Sequence, residues 1–193
     1  MKTGSPLALR YNDKSPLENY HAASAFILLR DHSDSLLGDF SPEEFSYFRA
    51  TFLRLVLCTD NSLHFDHITK LKEITHSPGK VQDDKNIVLC NLFHAADISN
   101  QCRPFRLASE WGRRIVSEFF DQGDRERMLD LPVSMGCDRH TVHFEQSQVN
   151  FISFFLEPMY GALAEKLPAM EDALEEVRKK KERWMLEIQE ESK

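Results

Sequence analysis

Glycine and proline are scarce in this sequence, at seven and eight copies among 193 residues. These two residues most often interrupt a regular element, so long unbroken elements are expected. Between them the apolar residues recur at helical spacing, and no alternating run reads as a strand. No C-x-x-C pair is present, since Cys58, Cys90, Cys102 and Cys137 stand singly. That excludes the disulfide framework of a small secreted domain and fits reduced, intracellular thiols. No apolar run approaches the ~20 residues that cross a bilayer. Met1-Lys2-Thr3-Gly4-Ser5-Pro6 also lacks the apolar stretch of a secretory signal. Cations are in deficit: 24 Lys and Arg against 31 Asp and Glu give a net charge of -7. That argues against a nucleic-acid binder, whose affinity needs clustered cations. A small anionic substrate stays compatible, because a bound metal inverts the local field. A soluble, cytoplasmic chain without a transmembrane segment is expected.

With 41% apolar and 28% charged residues, the composition is that of a folded globular protein. Ser41-Pro42-Glu43-Glu44 reads as a helix start: a capping serine, a first-turn proline and the glutamate of a capping box. Phe45, Phe48, Phe52, Leu55 and Val56 then share a face, which predicts a helix packed on the core. Thr59-Asp60 reads as a break and a new cap before a helix bearing Ile68, Leu71 and Ile74. Ser77-Pro78-Gly79 predicts a turn, followed by a helix from Asp83 or Asp84 to about Asn100. Pro104 opens another, with Trp111, Ile115 and Phe119 on one stripe, ended by Gly123-Asp124. Leu131-Pro132 marks a loop before a long helix from about His140 to Leu163. The segment after Pro168 predicts a charged helix, with Lys179-Lys180-Lys181 and Glu190-Glu191, that is either solvated or dimerising. The expected architecture is an all-α, compact multi-helix bundle.

Two polar residues interrupt apolar faces. Gln148 lies in a stripe with Phe144, Phe151, Ile152, Phe155 and Met159. A buried amide must be satisfied. An internal hydrogen bond is the commoner solution. Recognition of a purine edge, with Phe151 stacking on the base, is the sharper one. Asp97 ends a helix whose other face reads as Leu89, Leu92 and Phe93. A carboxylate there opposes the helix dipole and needs compensation. A salt bridge would supply it, as would a divalent cation with Asn100 on the same side. The pairs His64/His67 and His140/His143 have spacing compatible with metal ligation, although surface or capping roles are commoner for such pairs.

Five segments together resemble the class I cyclic-nucleotide phosphodiesterases. Ser15-Pro16-Leu17-Glu18-Asn19-Tyr20-His21 resembles S-x-L-E-N-x-H, and Thr59-Asp60 with His64 resembles T-D-x-x-x-H. His94-Ala95-Ala96-Asp97-Ile98-Ser99-Asn100 is similar to H-x-A-D-[IL]-S-N. Phe119 to Glu126 resembles F-F-x-Q-G-D-x-E, and Ser147-Gln148-Val149 with Phe151-Ile152 resembles S-Q-x-x-F-I. They occur in the family's order. The resemblance implies the C-terminal portion of the helical, HD-type catalytic domain over residues 1–167, with residues 168–193 as a charged C-terminal helix.

It also implies roles for individual residues. Asp97 matches a metal-ligating aspartate that helps orient the nucleophile. Gln148 matches the glutamine that bonds the purine. Phe151 and Ile115 match the two sides of a clamp on the base, and Asn100 lines that pocket. Glu18 and Thr59 match polar groups near the metal-bound water and the general acid. Ala108 stands where cAMP-selective relatives often carry a larger polar aromatic, which leaves the choice between cAMP and cGMP open.

The family holds two divalent ions, zinc with magnesium or manganese, through upstream histidines and an H-D pair. Its general acid lies in an H-N-x-x-H segment. Here no His precedes Asp or Asn. The expectation is therefore a phosphodiesterase that hydrolyses cAMP or cGMP to 5'-monophosphates by two-metal activation of a bridging hydroxide. This chain would supply the base pocket and one metal ligand, with the upstream metal motifs falling before residue 1. Such a chain would not hold the two ions alone, would be inactive in isolation, and would expose apolar surface. The rival expectation is a short isoform that binds nucleotide or a partner without catalysis.

Overall fold

The capping box at Ser41 forms as its spacing predicts. The Glu44 amide donates to Ser41 Oγ at 3.2 Å, and the Ser41 amide donates to Glu44 Oε2 at 2.9 Å. Each bond satisfies a backbone donor that a first turn leaves open. Ser41→Ala should lower stability by about 1 kcal/mol in urea denaturation. An unchanged midpoint would show that this helix end contributes nothing.

The structure, a computed structural model, describes residues 4–31, 37–77 and 81–191. Among them every regular element is helical, as the periodicity predicts. The order is α1 (Pro6–Arg10), α2 (Pro16–Asp31), α3 (Pro42–Leu57), a 3-10 turn (Asn61–Leu63), α4 (His64–His76) and α5 (Val81–Asp97). A second 3-10 turn (Ser99–Cys102) leads into α6 (Phe105–Met128) and, after a loop, α7 (Phe144–Phe151). A π-helical turn (Ile152–Leu156) joins α7 to α8 (Glu157–Lys166), and Pro168–Met170 leads into α9 (Glu171–Glu191). No helix among the described residues is long and apolar enough to cross a membrane.

The core lies where α4, α5, α8 and α9 meet. Ile68, Leu71 and Ile74 of α4 cluster with Leu156, Met159, Leu163, Val177 and Trp184. Each large side chain removed from water there contributes roughly 1.5–3 kcal/mol.

The structure departs from the expected pattern at several places, each with a physical cause. The shared aromatic face of α3 exists, but no residue of that helix is buried. Its partner is Phe26 of α2, whose ring lies 6.4, 6.3 and 5.1 Å from Phe45, Phe48 and Phe52. Two helices cannot enclose that many rings, so Phe40, Phe45 and Tyr47 stay exposed. Helix α5 begins at Val81, ahead of Asp83, and its axis ends at Asp97 because the chain tightens into the 3-10 turn. Its buried side carries Cys90, Asn91, His94 and Ala95, while Leu89 and Phe93 are exposed. Asn91 is tolerated inside because Nδ2 donates to the Ile87 and His67 carbonyls at 2.9 and 3.2 Å.

Gly123 does not end α6, which continues to Met128. The glycine is required by close approach, since a Cβ there would collide with the Cys137 carbonyl. The long helix expected from His140 starts at Phe144, because Asp138 holds the preceding turn through the His140, Thr141 and Val142 amides. Pro158 explains the π turn just before it. A proline lacks the N–H for the i−4 carbonyl and crowds it, and one wide turn relieves both. The charged C-terminal helix is not simply solvated: Leu174, Val177 and Trp184 of α9 are buried in the core. Residues 78–80 of the predicted turn lie outside the described residues.

Candidate functional site

Gln148 is 5% exposed on the face of α7 that looks toward α6 and α9. Its Oε1 accepts from Gln101 Nε2 at 2.8 Å, and Gln101 Oε1 accepts from Trp184 Nε1 at 2.9 Å. On its other side, Gln148 Nε2 donates to Ser147 Oγ at 3.1 Å, and that hydroxyl donates to the Phe144 carbonyl at 2.6 Å. An indole N–H can only donate and a carbonyl can only accept. The four bonds therefore run in one direction, from Trp184 through Gln101, Gln148 and Ser147 to Phe144. Neither amide can turn over without breaking the series. Gln148 is left with one N–H and one lone pair of Oε1 in a fixed order.

The backbone of α6 supports this arrangement. A Cβ at Gly112 would stand 2.7 Å from Gln148 Oε1 and 3.3 Å from Phe144 Cζ, so the amide occupies the space a larger residue would fill. Ala108, one turn earlier, is fully buried. Ile115 and Trp111 continue along α6 and are exposed, and Phe151 is half-buried one turn after Gln148. Phe151 stacks on Phe155 at 5.7 Å. Asn100 is half-buried in the 3-10 turn, next to the fully buried Gln101.

A second region gathers at the N-termini of α2 and α4. Ser15 Oγ donates to Asp60 Oδ2 at 2.6 Å, which ties the start of α2 to the turn after α3. Burial opposes ionisation of Asp60, but the Ser15 hydroxyl and Ser62 amide hold its carboxyl below the usual range. Thr59 Oγ1 donates to the Val56 carbonyl at 2.8 Å. Asp97 reaches the surface, yet desolvation by its surroundings raises its carboxyl, and the charge of His21 pulls it the other way. Glu18 and His21 stand one turn apart on α2. His21 of α2 is thus within electrostatic reach of Asp97.

His64 is fully buried, contrary to the surface or capping role expected for it. Its Nδ1 lies 3.0 Å from Nε2 of the equally buried His94, so one ring donates and the other accepts. Burial first, and then the neighbouring imidazole, lowers His64 to about 4. Burial and then His67 lower His94 to about 4. Both rings are neutral in a neutral solution. His140 and His143 are exposed.

These residues do not fit a two-metal centre. Among the described residues, no three His, Cys, Asp or Glu side chains converge as a metal group would need. His64 and His94 bond to each other, and among the described residues the charge that acts on Asp97 is that of His21.

The sequence assigned no site role to Gln101, Trp184, Gly112 or His21. Gln101 directly follows the Asp97-to-Asn100 segment, and His21 closes the segment that carries Glu18. The signal for Trp184 was a lone indole in a charged helix, since a buried indole needs an acceptor.

Comparison with known proteins gives the family. Residues 1–177 match the family model described as 3'5'-cyclic nucleotide phosphodiesterase. The chain is 38% identical over 174 residues to a probable 3',5'-cyclic phosphodiesterase, pde-1, of Caenorhabditis elegans, covering 90% of this chain and 26% of that protein. It is 38% identical over 165 residues to the human dual specificity calcium/calmodulin-dependent 3',5'-cyclic nucleotide phosphodiesterase 1B, covering 86% of this chain and 30% of that protein. The phosphodiesterase domain of the RhoPDE fusion protein from Salpingoeca rosetta superposes with a TM-score of 0.86 at 28% identity, over 95% of this chain and 60% of that one. The chain thus spans less than a third of these two curated relatives' length. It belongs to the 3',5'-cyclic nucleotide phosphodiesterase family.

Proposed function

We propose that this chain is the base-binding part of a cytoplasmic catalytic domain that hydrolyses 3',5'-cyclic nucleotides to 5'-monophosphates. The observation that carries this reading is the one-way hydrogen-bond series through Gln148. It presents a donor and an acceptor side by side, which is what a purine edge requires. In this reading Phe151 and Ile115 flank the base, Asn100 lines its edge, and Asp97 faces the phosphate with Glu18 and Thr59 nearby. Residues 1–167 form the partial catalytic domain, and the helix beyond it supplies Trp184.

The fixed order has a consequence for specificity. Adenine offers a donor at N6 beside an acceptor at N1, whereas guanine offers an acceptor at O6 beside a donor at N1. An amide that cannot turn over should therefore favour one of the two. Titration of the chain with cAMP and cGMP is expected to show at least a tenfold difference, about 1.4 kcal/mol. Gln148→Ala should weaken the better ligand by about tenfold or more. Equal binding before and after that substitution would remove Gln148 from the site.

A second reading is a nucleotide-binding module without hydrolysis. The donor set favours it, since His64 and His94 are bonded inside the core and leave Asp97 with His21. The discriminating assay is turnover of cAMP or cGMP by the purified chain with zinc and magnesium. Chelator-sensitive hydrolysis would overturn this second reading.

A further inference from the structure

Away from the base pocket, two thiols lie together between α3 and α5. Cys58 follows the last residue of α3 and Cys90 lies within α5, and they are 4% and 6% exposed. Cys58 Sγ stands 3.0 Å from the Leu55 carbonyl and 3.4 Å from the Cys90 carbonyl oxygen. The Cys58 S–H is thus directed at the backbone of α3 and α5, and the two thiols lie close enough to perturb each other's ionisation. Both are free cysteines, and neither bonds to any residue assigned above to the base pocket.

We propose that Cys58 and Cys90 form an oxidation site, a dithiol that a hydroperoxide closes to a disulfide between α3 and α5. The two sulfurs are unequal. The neighbouring Cys58 thiol, and then the charges of Arg54 and Lys70, lower Cys90 to about 7 against the effect of burial. The contact with Cys90, and then burial, raise Cys58. Cys90 is therefore the attacking thiolate.

Its sulfur takes the terminal oxygen of R–O–O–H, the O–O bond breaks, and the alkoxide leaves as an alcohol after gaining a proton. Cys90 is then a sulfenic acid. The Cys58 sulfur attacks that sulfur, the S–S bond forms, and the hydroxyl departs as water with the Cys58 proton. Two thiols and one hydroperoxide become one disulfide, one alcohol and one water. Access comes through α3, which buries none of its own residues.

The test uses the full chain carrying Cys102→Ser and Cys137→Ser, which leaves only this pair. Removing Cys102 also resolves the assignment, because Cys102 shares a tryptic peptide with Cys90. After treatment with tert-butyl hydroperoxide, both thiols should disappear together and the mass should fall by two hydrogens. Digestion without reduction should yield one cross-linked peptide pair, which dithiothreitol restores to thiols. Sulfinic acid at Cys90 without a cross-link, cross-links between molecules, or thiols that survive in the folded chain would each overturn the proposal. Cys58→Ser in the parent sequence gives an independent measure. Cys90 should then stop at sulfenic acid and be trapped by dimedone, and failure to label it counts against the mechanism.

Discussion

Truncating Trp184 to alanine is expected to cost about 3–5 kcal/mol of stability and to remove nucleotide binding with it. The side chain is 2% exposed, with its ring 4.6 Å from Phe105 and 5.4 Å from Phe144. Truncation would leave a cavity between α9 and α7, and the Gln101 acceptor unpaired. Trp184→Phe separates the two effects. It keeps most of the packing and removes only the donor, at about 1–2 kcal/mol for the stranded Gln101 oxygen. Gln101 could then turn over, and Gln148 with it, so the preference between cAMP and cGMP should narrow while affinity for the weaker ligand rises. Urea denaturation and paired nucleotide titrations check both parts. A Phe variant with unaltered stability and unaltered preference would show that the indole N–H does not set the order.

Mild acid should destabilise the chain well before its carboxylates titrate. His64 and His94 are lowered to about 4 in the folded chain, whereas a histidine in an unfolded chain titrates near ~6.5. Between these values the unfolded state takes up protons that the folded state refuses. The stabilisation is therefore complete above about pH 6.5 and is lost as pH falls toward 4. Two such groups could remove roughly 5 kcal/mol across that window, a large share of the 5–15 kcal/mol typical of a domain. His67 is lowered in the same direction by burial and Lys70. Asp60 is the acid whose charge acts on His94, and its own carboxyl is held below the usual range, so it stays ionised through this window. The urea midpoint should fall steeply from pH 7 to pH 5, and His94→Gln should flatten that slope. A midpoint constant over this range would contradict the neutral, buried pair.

The helices were legible because scarce glycine and proline left their periodicity uninterrupted. Ile68, Leu71 and Ile74 went inside as their spacing required. Gln148 was legible as a buried amide because it interrupts an apolar stripe. What it bonds was not legible, since Gln101 and Trp184 lie 47 and 36 residues away and meet it only through packing. The same reason hid the His64–His94 bond: each histidine alone looks like a surface residue, and only the α4–α5 contact removes both from water. Helix α3 misled in the opposite direction. A clean aromatic face says that something should cover it, not what does. The charged run in α9 masks Leu174, Val177 and Trp184, whose buried stripe also takes in Lys180 of that run.

The π turn at Ile152–Leu156 makes the long helix a phase joint. The half before it carries Gln148 and Phe151, and the half after it is locked into the core by Met159, Tyr160 and Leu163. Each residue in a helix advances the face by about 100°, so the length of this joint sets how the two halves are rotated against each other. Deleting one residue here would leave two intact helices and an intact composition, with the glutamine turned away from Gln101. Replacing Pro158 by alanine removes the reason for the wide turn and invites the same slippage. The angular setting of the pocket is thus held by a count of residues as much as by any contact.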